Sequence, residues 1–212
     1  MKLNPKKKKQ YVLIAAAVLA LIAIVVAVGV TLDARNENAG GELIPEATHY
    51  IAIDVQDYGT ITAELYGNIA PVTVENFVKL INDKFYDGLT FHRIIPGFMI
   101  QGGCPRGDGY GGSGTNIKGE FAQNGVNNPL KHTRGVLSMA RGAQPNTASS
   151  QFFIMHQDAP HLDGGYAGFG KVLSGLEVVD AICQNTPVAD SNGSVLSENQ
   201  PVITSIRLID KP

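Results

Sequence analysis

The chain has 212 residues, of which 44% are hydrophobic, and its formal net charge is -2 at pH 7. This length suits one sizeable core with appendages and leaves little room for a second large domain. Five of the 17 basic residues and none of the 19 acidic ones lie in the first ten positions, so the rest of the chain carries a net charge of -7. Because nucleic-acid binding requires a basic face, we predict no nucleic-acid partner.

An uncharged apolar segment occupies residues 11–32. Its 22 residues would span roughly 33 Å as a helix, enough for a hydrocarbon core of about 30 Å. The lysines of residues 1–10 favour a cytoplasmic N-terminus. We therefore predict a single-pass signal-anchor helix in the cell membrane, with the following domain outside the cytoplasm. The alternative is a cleaved signal peptide ending near Ala27-Val28-Gly29, which would leave a secreted protein.

Residues 33–47 are polar, contain Gly-Gly and a proline, and show no apolar periodicity, so they predict a linker. The folded domain is expected at residues 48–212. It opens with two alternating runs, Ile51–Val55 and Ile61–Leu65, separated by a short turn, which is typical of a hairpin with one buried face.

The rest of the domain alternates between short apolar runs and two helical patterns. Helices are predicted from Pro71 to about Lys84 and from Gly175 to about Cys183, because apolar residues recur there at helical spacing. Strands are predicted at Phe91–Ile95, Phe98–Gln101, Val136–Ala140, Gln151–His156, Ala167–Val172 and Val202–Ile209. Many short strands with only two helices favour a mainly β, antiparallel barrel or sandwich.

Several familiar catalytic patterns are absent or out of context. Residues 107–112 match GxGxxG, but no helix pattern follows them to hold a phosphate, so they predict a loop. The sequence contains no GxSxG, GK[ST] or HExxH. Hydrolase and nucleotide-binding activities are therefore disfavoured.

Metal and disulfide sites are weakly indicated. The stretch HQDAPHLDGG at 156–165 holds two histidines and two aspartates, yet its Pro, Asp and Gly are ordinary turn residues, so no metal is predicted. Cys104 and Cys183 fit no CxxC or zinc spacing. Their pairing is open but not indicated.

The motifs that remain resemble the cyclophilin family of peptidyl-prolyl cis/trans isomerases. FHRIIPGFMIQGG at 91–103 is followed in family order by LSMAR, PNT, SQFFI, LDG and FGKV, and the resemblance covers Thr48 to Asp210. It implies a closed eight-stranded antiparallel barrel with a helix over each end.

The resemblance also implies the site. Its catalytic residues would be Arg93 and Gln101, the arginine as donor to the prolyl nitrogen and the glutamine as a partner of the substrate backbone. The residues implied to bind the substrate are Phe98, Met99, Ala140, Arg141, Phe153, His161, Leu162 and Tyr166. Amide rotation is slow because resonance stiffens the C–N bond, and an arginine stays charged at physiological pH. No cofactor or metal is expected, because fixed hydrogen bonds and a dry pocket suffice for this chemistry.

Three positions depart from the usual family pattern. His161 stands where many members have a tryptophan, Tyr166 where they have a histidine, and Arg141 where they have an asparagine. The loop at Ala143-Gln144 is one residue longer. We expect isomerase activity to survive. Binding of the cyclic peptide cyclosporin should be weaker, because His161 lacks the indole N–H donor of the usual tryptophan.

The predicted function is a membrane-anchored isomerase that assists proline-limited folding of exported proteins, and the lysine run, single anchor and bare domain are typical of a bacterial arrangement. Its partners would be proline-containing peptides and unfolded exported chains, and we expect a monomeric head. One alternative is a proline-peptide-binding module or holdase without turnover. The other is an inactive structural domain.

Overall fold

The computed structural model describes residues 43–212. The predicted basic N-terminus (1–10), membrane helix (11–32) and most of the linker lie outside the described residues. Within 43–212, none of the helices has the length and hydrophobicity needed to cross a bilayer. Leu43–Pro212 form one compact unit. Leu43 packs against the core, and the Asn68 amide bonds the Ile44 carbonyl at 2.8 Å and the Glu46 N–H at 2.9 Å.

The described residues form eight strands and two α-helices, and every predicted element is present with boundaries shifted by no more than two residues. The strands are β1 (His49–Val55), β2 (Gly59–Leu65), β3 (Phe91–Ile95), β4 (Met99–Gly102), β5 (Val136–Met139), β6 (Phe152–Met155), β7 (Gly168–Ser174) and β8 (Ile203–Ile209). The helices are α1 (Pro71–Asn82) and α2 (Leu176–Asn185).

All eight strands belong to one curled antiparallel sheet, in the order β3-β4-β6-β5-β7-β2-β1-β8. The closed barrel implied by the family resemblance needs correction, because the edge strands β3 and β8 share no continuous ladder. Isolated bridges join them at Thr90–Val202 and join β3 to Ser194. The irregular segment before β8 lies along β3 instead, where the Ile94 N–H donates to the Gly193 carbonyl at 2.8 Å.

Helix α1 begins at Pro71 without a side-chain cap from its own sequence. The buried carboxylate of Glu120 supplies the missing acceptors. It accepts hydrogen bonds from the backbone N–H groups of Val72 (3.0 Å) and Thr73 (2.8 Å) and from the Thr73 hydroxyl (2.7 Å). Since helix N-termini leave N–H groups unpaired, this remote carboxylate stabilises the start of α1.

Both cysteines are free and buried. The Cys104 sulfur accepts from the Gly111 N–H at 3.3 Å. Cys183 lies in α2, where burial raises the pKa of its thiol to about 12. The disulfide that the spacing left open is therefore not formed.

Strands β3, β4, β6 and β5 lie side by side, and β5 and β6 are buried on both faces. One face joins the main core through the cross-strand row Ile94, Ile100, Ile154 and Leu137. The next row, on the opposite face, is Arg93, Gln101, Phe153 and Ser138. Because neighbouring residues of a strand point to opposite faces, this register gathers the arginine, the glutamine and the phenylalanine on one surface.

Candidate active site

A pocket lined by apolar and polar side chains lies on that surface. Its volume is about 220 Å³, and its lining contains nine of the ten predicted site residues: Arg93, Phe98, Met99, Gln101, Ala140, Arg141, Phe153, Leu162 and Tyr166. Met99, Phe153 and Leu162 belong to a separate apolar cluster that Phe98 and Tyr166 pack against. The geometry therefore brings together residues that lie up to 73 positions apart between Arg93 and Tyr166.

His161 is the predicted residue that does not line the pocket. It lies exposed in the short 3-10 turn Pro160–Leu162. Its ring stacks on Phe98 with centroids 5.5 Å apart and an interplanar angle of 30°. Its contact with the pocket is thus through the Phe98 ring.

Phe98 and Met99 both reach the pocket although they are neighbours in sequence. Strand alternation would place them on opposite faces, but β4 begins only at Met99. Phe98 belongs to the preceding turn, where its N–H donates to the Ile95 carbonyl at 2.9 Å. His156 stabilises this turn twice: its ring Nδ1 accepts from the Gly97 N–H at 2.8 Å, and its backbone N–H donates to the Phe98 carbonyl at 2.9 Å.

Arg93 is held from outside the pocket by Asn192. The guanidinium donates through Nε to the Asn192 carbonyl (2.8 Å), through Nη2 to its Oδ1 (3.2 Å), and through Nη1 to Oε1 of Gln101 (3.2 Å). Asn192 is itself fixed, because the carboxylate of Asp190 accepts from the N–H groups of Asn192 at 2.9 Å and Ser194 at 3.0 Å. Burial lowers the pKa of Arg93, and electrostatic interactions with Tyr166 and Asp190 oppose this shift. The group still stays protonated in the physiological range.

A chain of amide hydrogen bonds leads away from Arg93. Gln101 Nε2 donates to Gln151 Oε1 at 2.8 Å. Gln151 Nε2 in turn donates to the carbonyls of Gly109 at 2.8 Å and Gly111 at 2.7 Å. Since these carbonyls only accept, they fix the orientation of both glutamine amides, and Oε1 of Gln101 must face the arginine.

A larger groove adjoins the pocket and shares Gln101, Ala140 and Arg141 with it. Its volume is about 630 Å³. The remaining walls come from backbone of the glycine-rich loop and from polar side chains: Gly109, Tyr110, Gly111, Gly112, Gly114, Asn116, Gly142, Thr147, Ser149 and Gln151. The GxGxxG match thus contributes to a groove wall, and the first helical turn after it is the 3-10 turn Ala122–Asn124.

Three of the four candidate metal ligands at 156–163 have separate polar partners. Nε2 of His156 lies 3.2 Å from Asp180, and Asp158 accepts from the Arg134 N–H at 2.8 Å. Asp163 accepts from the His132 backbone N–H at 2.8 Å. Over residues 43–212, no three His, Cys, Asp or Glu side chains are grouped as a metal site.

Behind the pocket, a buried histidine supports Phe153. The His132 ring stacks on the Phe153 ring with centroids 6.1 Å apart. Its Nε2 lies 2.9 Å from the Ser138 hydroxyl and its Nδ1 3.1 Å from Asp163. Burial lowers the pKa of His132, opposed by its bond and attraction to Asp163 and aided by repulsion from His161. The neutral ring therefore donates to the carboxylate and accepts from the serine.

Most of the chain matches a known protein family. Residues 50–208 match the family model described as "Cyclophilin type peptidyl-prolyl cis-trans isomerase/CLD". The chain belongs to the cyclophilin-type isomerases.

Individual cyclophilin-type relatives agree. The chain is 50% identical over 144 residues to peptidyl-prolyl cis-trans isomerase B of Bacillus subtilis, covering 68% of this chain and 92% of that protein. It is 51% identical over 128 residues to an isomerase of Helicobacter pylori, covering 59% of this chain and 76% of the relative. A crystal structure of a Cryptosporidium parvum cyclophilin-type isomerase in the presence of the dipeptide Ala-Pro is similar with a TM-score of 0.67 and 34% identity, covering 76% of this chain and 99% of that chain.

Membership in the cyclophilin-type family makes the chain an enzyme that isomerises peptidyl-prolyl bonds.

Sequence reasoning missed two residues that organise the candidate site, Asn192 and Gln151. Gln151 lies in the SQFFI motif, which singled out the strand but not the amide. Asn192 lies in a turn-forming Asp-Ser-Asn-Gly stretch 99 residues from Arg93, and nothing local in the sequence indicates that the two meet.

Proposed function

We propose that Arg93 accelerates rotation about Xaa-Pro bonds by donating a hydrogen bond to the prolyl nitrogen. The amide resists rotation because resonance gives its C–N bond double-bond character, with a barrier of about 18–20 kcal/mol. As the bond twists, the nitrogen pyramidalises and its lone pair becomes available. A donor aimed at that lone pair stabilises the twisted state more than the planar one, which is the condition for catalysis.

The observation that carries this proposal is the way Arg93 divides its donors. A guanidinium has five N–H groups. Three are engaged with Asn192 and Gln101, which leaves one on each terminal nitrogen for a group in the pocket. Arg93 is therefore preorganised by the protein and still able to donate, so little reorganisation is needed when the bond twists.

The pocket and the groove divide the substrate between them in this proposal. The apolar side chains around Phe98, Met99 and Phe153 suit a proline ring, and burying the ring excludes water from the bond that rotates. The groove offers backbone and amide groups to the flanking chain. The presence of Ala-Pro in the Cryptosporidium crystal structure supports a proline-containing peptide as the occupant.

The test is cis/trans exchange of a short Xaa-Pro peptide, followed by NMR on the peptide signals with the full chain in detergent. Arg93→Ala should lower kcat by about 100- to 1,000-fold, with little change in peptide affinity, because the bond forms in the twisted state. Arg207→Ala is the matched control, since Arg207 is an exposed arginine of β8 that pairs with Asp54. Full activity in Arg93→Ala would refute the proposed role. Peptide binding by the parent without faster exchange would favour a binding module.

We also propose that the enzyme is membrane-anchored and acts on exported proteins outside the cytoplasm of a bacterial cell. The support is the uncharged segment 11–32 behind a run of lysines. After expression of the full chain, alkaline carbonate should leave the protein in the membrane fraction, and external protease should digest its domain in spheroplasts. A chain lacking residues 1–32 is the control for both. Release by carbonate, or an N-terminus near residue 30, would point to cleavage.

We further infer that the catalytic domain is monomeric. The supporting observation is that the apolar residues of both helices are turned into the domain's own core: Val74, Phe77, Leu80, Ile81, Val178, Val179 and Ile182. Neither helix therefore offers an apolar stripe to a second copy. Sedimentation of residues 43–212 should give the monomer mass, and a dimer at micromolar concentration would contradict the inference.

A further inference from the structure

Arg141 lies at the boundary between the pocket and the groove, and its side chain is tied down more thoroughly than that of a surface arginine. It follows β5 by two residues. Its Nη1 donates to the carbonyls of its neighbours Gly142 at 2.9 Å and Ala143 at 3.3 Å. Its Cζ also lies 5.0 Å from the centroid of the buried Phe121 ring. These contacts anchor the guanidinium to its own loop and to the core.

The other side of the guanidinium faces the loop that carries Tyr166. Nε and Nη2 both donate to the Gly165 carbonyl, at 2.9 and 2.8 Å. The Arg141 Cζ lies 4.6 Å from the centroid of the Tyr166 ring. A planar cation can stack on an aromatic face and bond a carbonyl with two N–H groups at once, whereas a lysine ammonium can do only one of these well.

Tyr166 is a wall of the proline pocket with few other restraints. Its ring packs edge-on against Phe153 with centroids 6.0 Å apart. Among the residues the structure describes, its hydroxyl has no hydrogen-bond partner. The position of this wall therefore depends on the Phe153 contact and on Arg141.

We propose that Arg141 is a positioning residue that holds Tyr166 against the proline pocket and so sets substrate affinity. It does not touch the rotating bond, and its charge has no carboxylate partner among residues 43–212. The proposal rests on the proposed placement of proline in this pocket. It goes beyond the substrate contact that the family resemblance implies for this position, because it assigns the effect to the side chain and to its hold on Tyr166.

The first test separates KM from kcat in Arg141→Lys, using NMR exchange of an Ala-Pro peptide with the full chain at several peptide concentrations. The lysine keeps the charge and loses the stacked fork, so KM should rise about five-fold while kcat changes by less than about two-fold. Arg207→Lys makes the same substitution on β8 and should change neither value. An unchanged KM in Arg141→Lys would overturn the proposal. So would a fall in kcat at constant KM, which would place Arg141 in the rotation step.

The second test asks whether the effect passes through Tyr166. If it does, Arg141→Lys should change KM by less than about two-fold in a Tyr166→Leu background, because contacting residues that act together are not additive. A full five-fold effect in that background would overturn the proposal. Thermal unfolding checks that each variant is folded. If Arg141→Lys does not fold, Arg141→Gln takes its place, and the same rise in KM is expected for it. If the parent itself fails to accelerate exchange, the proposed function fails as well. That result differs from an active parent whose KM is unchanged by the Arg141 substitution, which overturns only the role of Arg141.

Discussion

The pocket and the adjoining groove share three residues but are built in different ways. Four of the nine residues that line the pocket, of about 220 Å³, lie on β3, β4 and β6, and its apolar rings pack on one another. Apart from the three shared residues, the groove, of about 630 Å³, is formed by loops, glycine backbone and uncharged polar side chains. Strands hold side chains such as Arg93 and Phe153 in fixed positions, whereas loops offer many hydrogen-bonding groups. In the proposed function, bond rotation therefore belongs to the pocket and recognition of the flanking chain to the groove.

Among the variants that test this comparison of pocket and groove, the largest expected effect comes from removing a pocket wall. Phe153→Ala should lower kcat/KM by about 100-fold, because the proline ring loses its contact surface and is no longer aligned with Arg93. Peptide exchange measured by NMR would give the ratio. Phe85→Ala is the control, since Phe85 is a partly buried ring that packs edge-on against Tyr86, outside both cavities. Equal losses in the two variants would mean that general destabilisation, and not the pocket, sets the rate.

A smaller effect is expected where the groove meets the pocket. Gln151→Leu removes the amide that joins Gln101 to the glycine loop, so Gln101 can turn away from Arg93. We expect a loss of about ten-fold in kcat/KM, measured in the same exchange assay. Gln56→Leu, at an exposed glutamine beyond β1, should have no effect. An unaltered rate in Gln151→Leu would show that Gln101 is oriented without the groove and that the two cavities work separately.

The smallest effect concerns pH and the support behind Phe153. Because burial lowers the pKa of His132 below its ordinary value of 6.5, the unfolded chain binds more protons than the folded one just below pH 6.5. The free energy of unfolding should therefore fall as the pH drops from about 7.5 to about 5.5, by at most about 1.4 kcal/mol per pH unit for this one group. Burial alone would raise the pKa of Asp163, but the hydrogen bonds that it accepts from His132 lower this pKa overall. Asp163 therefore reduces the free energy of unfolding only near and below pH 3.8.

Urea unfolding at those two pH values gives the slope. His132→Gln removes the titrating ring and should flatten the dependence relative to the parent. The buried His92, whose pKa is also lowered by burial, keeps part of the slope in that variant. An identical slope with and without His132 would contradict the assignment and leave the pocket support insensitive to pH.

Local pattern was enough for most of the architecture. Alternation at Ile51–Val55 and Ile61–Leu65 predicted β1 and β2, and helical spacing after Pro71 predicted α1, because these periods reflect one buried face in each element. Alternation was misleading at Phe98, which lies in a turn outside β4. The prediction of a closed barrel was wrong because the segment before β8, and not β8 itself, forms hydrogen bonds with β3. No local periodicity encodes which strand edges meet.

The ordered motifs of the sequence determined the family, the reaction and the ten candidate residues. The residue types of each motif and the order of the motifs can be read along the chain without knowing how far apart they lie in space. Only the tertiary structure decided how those residues are held. Asn192 reaches Arg93 across 99 positions, and Arg141 reaches Gly165 across 24. The physical reason is that these bonds join loops whose approach is set by strand order and curvature, so the sequence at either end carries no sign of its partner.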